Sequence, residues 1–151
     1  GVLPSQDWKR TAYKRPEMQK WYAGETISVG IGQGYNSFTP LQLAHAVANL
    51  SNNGVVMKPH LVKMVENGTT KARKLTVPKE SYRIKLKPEN IEVIKQAMIG
   101  VTKEGTSARS FANAPYSSGG KTGTAQVAKS GKYLKEYISS FFGFANDKKN
   151  K

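Results

Sequence analysis

A short run near the end of the chain, Lys121-Thr122-Gly123-Thr124, carries residue types that could do chemistry. The lysine supplies a fixed positive charge, and two threonines spaced two apart place both hydroxyls on one face of an extended strand. Gly123 keeps such a strand slim, and the main-chain N–H of Thr124 could donate to an oxyanion, a contact worth about 3 kcal/mol in a transition state. Together these groups suit binding of a peptide carboxylate beside an acyl-transfer centre.

The same run also ends like a phosphate-binding loop, because Gly120-Lys121-Thr122 matches the last residues of that motif. The motif requires a glycine six residues before the lysine, where this chain has Pro115, which has no N–H to offer a phosphate. It also requires a helix after the lysine, whereas polar and small residues alternate here as in a strand. An ordinary hairpin strand that happens to contain a lysine is the third interpretation.

Two helices are predicted among the elements that position this run. The first covers residues 39–53, where Thr39 and Gln42 form a capping box and Gly54 can close the helix in a left-handed turn. The second covers residues 88–103, and its apolar residues recur at helical spacing. They are Ile91, Ile94, Met98 and Val101.

The rest of the chain predicts strands and irregular segments. The predicted strands are residues 55–66, 75–86, 121–128 and 137–145, with turns at residues 67–74 and at Ser130-Gly131. The last two strands should pair as a hairpin. Prolines and glycines suggest that residues 1–26 are irregular, and the glycines of residues 28–35 favour close backbone approach or positive φ. The expected fold class is mixed α/β, an antiparallel sheet flanked by helices.

Composition restricts the classes of function. The 24 Lys and Arg against 10 Asp and Glu give a net charge of +14, which points to nucleic acid, lipid headgroups or a carboxylate-rich substrate. The absence of cysteine excludes thiolate chemistry. His45 and His60 have no carboxylate company in the sequence, so no metal site and no cofactor are expected. The cluster Lys71, Arg73 and Lys74 is most simply a solvated loop.

Two stretches carry a resemblance to a known family. Residues 119–126, Gly-Gly-Lys-Thr-Gly-Thr-Ala-Gln, resemble the third-motif strand of class B penicillin-binding proteins. Residues 28–35, Ser-Val-Gly-Ile-Gly-Gln-Gly-Tyr, with the following Thr39-Pro-Leu-Gln-Leu-Ala44, are similar to the elongation type of that class. The likeness covers nearly the whole chain.

The resemblance implies a penicillin-binding transpeptidase fold related to serine β-lactamases, and a D,D-transpeptidase activity. Such an enzyme cross-links peptidoglycan stem peptides through an acyl-serine intermediate and binds β-lactams. Lys121 and Thr124 would then be catalytic, and Thr122, Gly123 and Thr124 would bind substrate. The resemblance also implies membrane proteins of the elongation complex as partners, and the periplasmic face of the inner membrane as the location.

The family pattern also needs a Ser-x-x-Lys and a Ser-x-Asn before the third motif. Ser118 to Lys121 and Ser51-Asn52-Asn53 match these spacings formally, and we interpret both matches as coincidence. Residues 1–151 are therefore expected to be the C-terminal portion of a transpeptidase domain, without the nucleophile region and without the final strand and helix. On this expectation the chain alone is inactive.

Two other functions remain open from the sequence. One is a basic nucleic-acid-binding module, which would use the cations of residues 9–15 and 71–74. Its expected sign, aromatic residues spaced along an exposed strand beside those charges, is not evident. The other is a β-lactam-sensing receptor domain on the same fold.

Overall fold

The structure is a computed structural model that describes residues 1–129 and 132–146. The helices are α1 (Gln6–Ala12), α2 (Pro16–Gln19), α3 (Ala23–Gly30), α4 (Pro40–Ser51), α5 (Pro88–Lys103) and α6 (Ala108–Phe111). The strands are β1 (Val55–Met57), β2 (Met64–Glu66), β3 (Arg73–Leu75), β4 (Glu80–Arg83), β5 (Ser117–Lys129) and β6 (Lys132–Asn146). The mixed α/β prediction is confirmed.

The chain forms two compact units. The first contains Gly1–Ala44 and Lys121–Phe142, and the second contains His45–Gly120 and the chain from Gly143 onward. None of the helices in the described part of the chain combines the length and the apolar character needed to cross a membrane.

The expectation that residues 1–26 are irregular is wrong, because helices α1, α2 and the start of α3 lie there. Ser5 caps α1 by accepting a hydrogen bond from the N–H of Trp8 at 3.0 Å. Pro16 occupies the first turn of α2, where its missing N–H leaves no hydrogen bond unmade. The proline that suggested a break therefore starts a helix.

Helix α4 begins as the sequence predicts. The N–H of Gln42 donates to Thr39 Oγ1 at 3.2 Å, and the N–H of Thr39 donates to Gln42 Oε1 at 2.9 Å, which completes the capping box. The helix ends at Ser51, two residues earlier than predicted. Asn53 at φ 55° and Gly54 at φ 83° then turn the chain into β1.

Helix α5 has the predicted bounds, and its buried face differs from the predicted one. Ile91 and Met98 are buried, but Ile94 is 46% exposed. The buried face instead continues to Thr102, whose hydroxyl satisfies a main-chain carbonyl on β5. Apart from Pro4 in the first unit, the buried apolar side chains of the described residues are Ile91, Met98 and Val56 of β1, so most of the core lies in the second unit.

The region between α4 and α5 contains two short antiparallel ladders. β1 pairs with β4, and β2 pairs with β3 with Met64 opposite Leu75 and Glu66 opposite Arg73. The hairpin predicted around residues 67–74 is confirmed, although each predicted strand is broken into two. The positive φ of its turn falls on Lys71, at 60°, and not on Gly68.

β5 and β6 form the third two-stranded sheet, so the predicted pairing of the Lys121 and Tyr137 strands is confirmed. β5 begins four residues earlier than predicted, and β6 begins five residues earlier. The turn predicted at Ser130-Gly131 lies outside the described residues.

Candidate active-site strand

Residues 121–124 lie within strand β5, which excludes the helix that a phosphate-binding loop requires after its lysine. Within the described part of the chain, β5 has a partner strand on one edge only, and that partner is β6. Because N–H groups of a strand point alternately to its two edges, every second N–H of β5 faces away from β6. The run is therefore an edge strand with main-chain groups directed outward.

Lys121 is exposed, and its ammonium returns to the main chain of the next residue. Nζ donates a hydrogen bond to the carbonyl oxygen of Thr122 at 2.6 Å. Alternation along a strand places the Lys121 stem on the face opposite Thr122 and Thr124. The flexible Lys121 side chain therefore bends back, and its ammonium lies beside Thr122, whose carbonyl oxygen it binds.

The two threonines lie on one face of β5, as their spacing predicts. Thr124 is exposed and Thr122 is half-buried, so neither side chain is fully buried. At Gly123 a Cβ atom would lie 2.8 Å from Ser140 Oγ of β6, so a side chain there would require the Ser140 hydroxyl to move. Glycine between the threonines therefore allows β6 to approach closely.

Within the second unit, helix α5 supports the beginning of β5. Thr102 Oγ1 donates to the carbonyl oxygen of Ser118 at 2.5 Å. A Cβ at Gly119 would lie 2.7 Å from Phe144 Cζ and 3.0 Å from the backbone nitrogen of Ile99, so the glycine permits strand and helix to touch. The sequence analysis missed Thr102, because a threonine inside an amphipathic helix gives no signal of its partner.

The two formal serine motifs do not have the structure of a nucleophile site. Ser118 is 7% exposed and lies in a strand, not at the start of a helix. Ser51 is the last residue of α4, and Asn53 after it accepts a hydrogen bond from Lys95 Nζ at 2.7 Å. Ser118 is not an exposed residue at the start of a helix, as the Ser-x-x-Lys motif requires. Ser51 is not an exposed residue in a loop, as the Ser-x-Asn motif requires.

The first unit contains a buried ionic cluster that the sequence analysis did not single out. Lys9 is 3% exposed, and its ammonium contacts the Glu25 carboxylate and donates to the carbonyl oxygen of Lys20 at 2.7 Å. The Tyr35 hydroxyl donates to Glu25 Oε1 at 2.7 Å. The Lys9 ammonium also lies 5.3 Å from the centroids of the Tyr22 and Tyr35 rings.

This cluster shifts the pKa of each member. The hydrogen bond from Lys9 lowers the Glu25 pKa from 4.5 to about 2, although burial opposes it. Burial lowers the Lys9 pKa, but its hydrogen bonds with Glu25 and Tyr35 outweigh this and raise it overall. The hydrogen bond to Glu25, followed by burial, raises the pKa of the Tyr35 hydroxyl. The Lys9–Glu25 pair is therefore fully charged at neutral pH.

The histidines have main-chain partners. His45 Nε2 lies 2.9 Å from the carbonyl oxygen of Met57, and His60 Nδ1 lies 3.0 Å from that of Val62. Across residues 1–129 and 132–146, no group of three or more His, Asp or Glu side chains is placed to hold a metal ion.

Comparison with known proteins identifies the family of this chain. The family described as penicillin binding protein transpeptidase domain matches residues 9–151. The peptidoglycan D,D-transpeptidase MrdA of Salmonella typhimurium strain SL1344 is 41% identical over 137 residues, which cover 84% of this chain and 20% of the relative. The MrdA protein of Haemophilus influenzae is 42% identical over 135 residues, covering 83% of this chain and 19% of the relative.

A solved structure extends the comparison to three dimensions. The crystal structure of Pseudomonas aeruginosa PBP2 in complex with WCK 5153 matches with a TM-score of 0.71 at 34% identity, covering 95% of this chain and 30% of that one. The resemblance to elongation-type proteins is thus confirmed. The chain spans about a fifth of the length of the curated relatives. It belongs to the family of penicillin-binding protein transpeptidase domains.

Proposed function

We propose that this chain supplies the Lys-Thr-Gly wall of a serine D,D-transpeptidase active site that cross-links peptidoglycan stem peptides. Thr122 and Thr124 bind the terminal carboxylate of the donor peptide with their hydroxyls. Lys121 adds a positive charge beside them, and the N–H of Thr124 donates to the oxyanion of the tetrahedral intermediate. Gly123 keeps the strand close to β6 so that this surface stays accessible. β-Lactams occupy the same surface as substrate mimics.

The observation that carries this proposal is an edge strand with an exposed lysine and an exposed threonine three residues later. An edge strand can receive an extended peptide along its outward-facing main-chain groups, and side chains on one face then select the end group. Two curated relatives that are about 40% identical to this chain are named peptidoglycan D,D-transpeptidases.

The attacking serine of the proposed reaction is not Ser118 or Ser51, because of the burial and the local structure described above. The nucleophile comes from a part of the full-length protein outside residues 1–151. The chain alone is accordingly expected to bind no β-lactam covalently. The location proposed for the full-length protein is the periplasmic face of the inner membrane, with membrane proteins of the elongation complex as partners.

Labelling with a fluorescent penicillin tests the proposal. Full-length protein should be labelled covalently, and Lys121→Gln should slow labelling about 100-fold, since it removes charge stabilisation at the reacting centre. Lys103→Gln is the matched control, because Lys103 is an exposed lysine in the last turn of α5. It should be labelled at the wild-type rate.

Two results would contradict the proposal. One is equal labelling of the Lys121→Gln variant and the wild type. The other is covalent labelling of the isolated 151-residue chain that disappears in Ser118→Ala, since this would make Ser118 the nucleophile.

A further inference from the structure

A large share of the positive charge lies in one segment, residues 58–87, which we name the basic arm. It contains nine Lys and Arg and two Glu, a net charge of +7. Half of the +14 of the whole chain is thus placed in 30 of its 151 residues. A single-sign field of this density attracts polyanions and is unusual on a surface that has no charged partner.

The basic arm is open to solvent along its whole length. Every residue of the arm except Thr76 is exposed, and the arm contains β2, β3 and β4. Its charges are therefore available to a partner. The arm contains one Tyr and no Phe or Trp, so it lacks the successive aromatic side chains on which single-stranded nucleic acid stacks.

Arginines within the arm neutralise both of its carboxylates. Arg73 Nε lies 2.6 Å from Glu66 Oε2, and an Arg83 nitrogen lies 3.2 Å from Glu80 Oε2. Among the described residues, no carboxylate lies within ion-pair distance of the remaining cations of the arm. These cations are Lys58, Lys63, Lys71, Lys74, Lys79, Lys85 and Lys87.

Three of these lysines lie in or beside the β2–β3 hairpin. Lys74 lies opposite Val65 in the β2–β3 ladder, and Lys63 directly precedes β2. Lys71 lies in the connecting turn at φ 60°, where its N–H donates to the carbonyl oxygen of Asn67. The Asn67 side chain accepts two further main-chain N–H groups, which fixes the turn.

We infer that the basic arm is a second binding surface, for a polymer of carboxylate-bearing peptides, and that it holds peptidoglycan by residues other than those of the reacting strand. This inference rests on the proposed function, which names the polymer. Charge complementarity supports it, because stem peptides present repeated carboxylates and the arm presents seven lysines that have no acidic partner among the residues the structure describes. Binding raises the local concentration of the polymer and leaves the selection of the terminal carboxylate to residues 121–124.

Co-sedimentation of full-length protein with purified, insoluble peptidoglycan tests the inference. A variant with Lys63→Gln, Lys71→Gln and Lys74→Gln should bind about tenfold more weakly at low salt. The matched control carries Lys14→Gln, Lys103→Gln and Arg109→Gln, which removes the same charge from exposed residues elsewhere. The control should bind within about twofold of the wild type, and added salt should remove the difference between the variants.

Further arms of the experiment separate the outcomes. Peptidoglycan whose carboxylates have been amidated should bind the wild type as weakly as the arm variant binds the native polymer. Fluorescent-penicillin labelling should be unchanged in the arm variant, so a failure of the proposed active site would be seen separately. Equal loss in both triple variants would overturn the inference. Lysine-dependent binding to phosphatidylglycerol vesicles but not to peptidoglycan would also overturn it.

Discussion

At the scale of single residues, the feature with the clearest expected effect on the free energy of unfolding is the burial of the Lys9 ammonium. A buried charge is tolerated only when it is paired and hydrogen-bonded, and Lys9 has the Glu25 carboxylate, the Lys20 carbonyl and two aromatic rings. Glu25 also accepts hydrogen bonds from the Tyr35 hydroxyl and the Tyr22 N–H. Glu25 is thus the centre of the cluster that joins α1 to α3.

Removing this carboxylate should destabilise the protein. Glu25→Gln leaves the Lys9 ammonium buried without its counter-ion, so we expect the Tm of the full-length protein to fall by several degrees. Asp7→Asn is the matched control, because Asp7 and its partner Arg10 are exposed. Surface pairs contribute little, so the control should keep the wild-type Tm. Equal Tm values for wild type and Glu25→Gln would contradict the buried pair.

The stability difference should also depend on pH in one direction. The folded-state pKa of Glu25 lies near 2, below its ordinary 4.5, so the stabilisation is complete above about pH 4.5 and is lost as pH falls toward 2. Denaturant melts at several pH values should show a constant gap between wild type and Glu25→Gln above about pH 5. The gap should close between about pH 4.5 and pH 2. A stability difference between wild type and Glu25→Gln that persists at pH 2 would show that the ionised Glu25 carboxylate is not its cause.

At the scale of elements, the contact between α5 and the start of β5 determines where the strand lies in the second unit. Gly119 permits this contact, because a Cβ there would meet the backbone of Met98 and Ile99 as well as the Phe144 ring. Backbone atoms cannot move aside as a flexible side chain can. A larger residue at position 119 should therefore shift the strand.

We expect Gly119→Ala to slow acylation of the full-length protein by benzylpenicillin about tenfold, since small displacements at a reacting centre are costly. Gly24→Ala is the control, because Gly24 lies in α3 with no atom within 4 Å of its added Cβ. It should leave acylation unchanged and stabilise the helix slightly. The acylation rates of the wild type and of both variants are measured by stopped flow. An unaffected Gly119→Ala variant would show that the contact does not position the strand.

The elements also show which features the sequence could predict. The capping box of α4 and the Pro88 start of α5 use local chemistry, and both were predicted correctly. The burial of Thr102 and the exposure of Ile94 depend on where β5 packs, which helical periodicity alone does not contain. Pro16 did not predict the start of α2, because proline both breaks helices and begins them.

At the scale of the whole molecule, the chain leaves many apolar side chains in solvent. Seven of the described apolar side chains are at least two-thirds exposed: Leu3, Ile27, Ile31, Leu41, Leu61, Val77 and Val93. Apart from Pro4, the buried apolar side chains of the described residues are Val56, Ile91 and Met98. Large exposed apolar surfaces mark places where other protein packs or where aggregation starts.

The isolated 151-residue chain is therefore expected to self-associate when it is produced on its own. Analytical ultracentrifugation should show species larger than a monomer, and their share should rise with protein concentration. A stable monomer with a cooperative thermal melt would contradict this expectation.

The strand that carries residues 121–124 was predictable from the sequence, and the placement of its side chains was only partly so. The residue types at positions 121–124 predicted an extended strand with paired hydroxyls, and the structure has both. The bending of the Lys121 ammonium onto the Thr122 carbonyl was not predictable, because it depends on the rotamers of a flexible stem. The cluster Lys71, Arg73 and Lys74 was interpreted as a solvated loop, since sequence does not show that the carboxylates of the basic arm are already paired.

Recognition of a carboxylate by Thr124 is tested by comparing the wild type with Thr124→Val. Each protein is acylated by benzylpenicillin and by its methyl ester. Thr124→Val keeps the shape and the main-chain N–H but removes the hydroxyl, so acylation of full-length protein by benzylpenicillin should slow about tenfold. With benzylpenicillin methyl ester, which has no free carboxylate, the same substitution should change the rate by less than about twofold. Equal slowing with both ligands, or no slowing with either, would contradict the account.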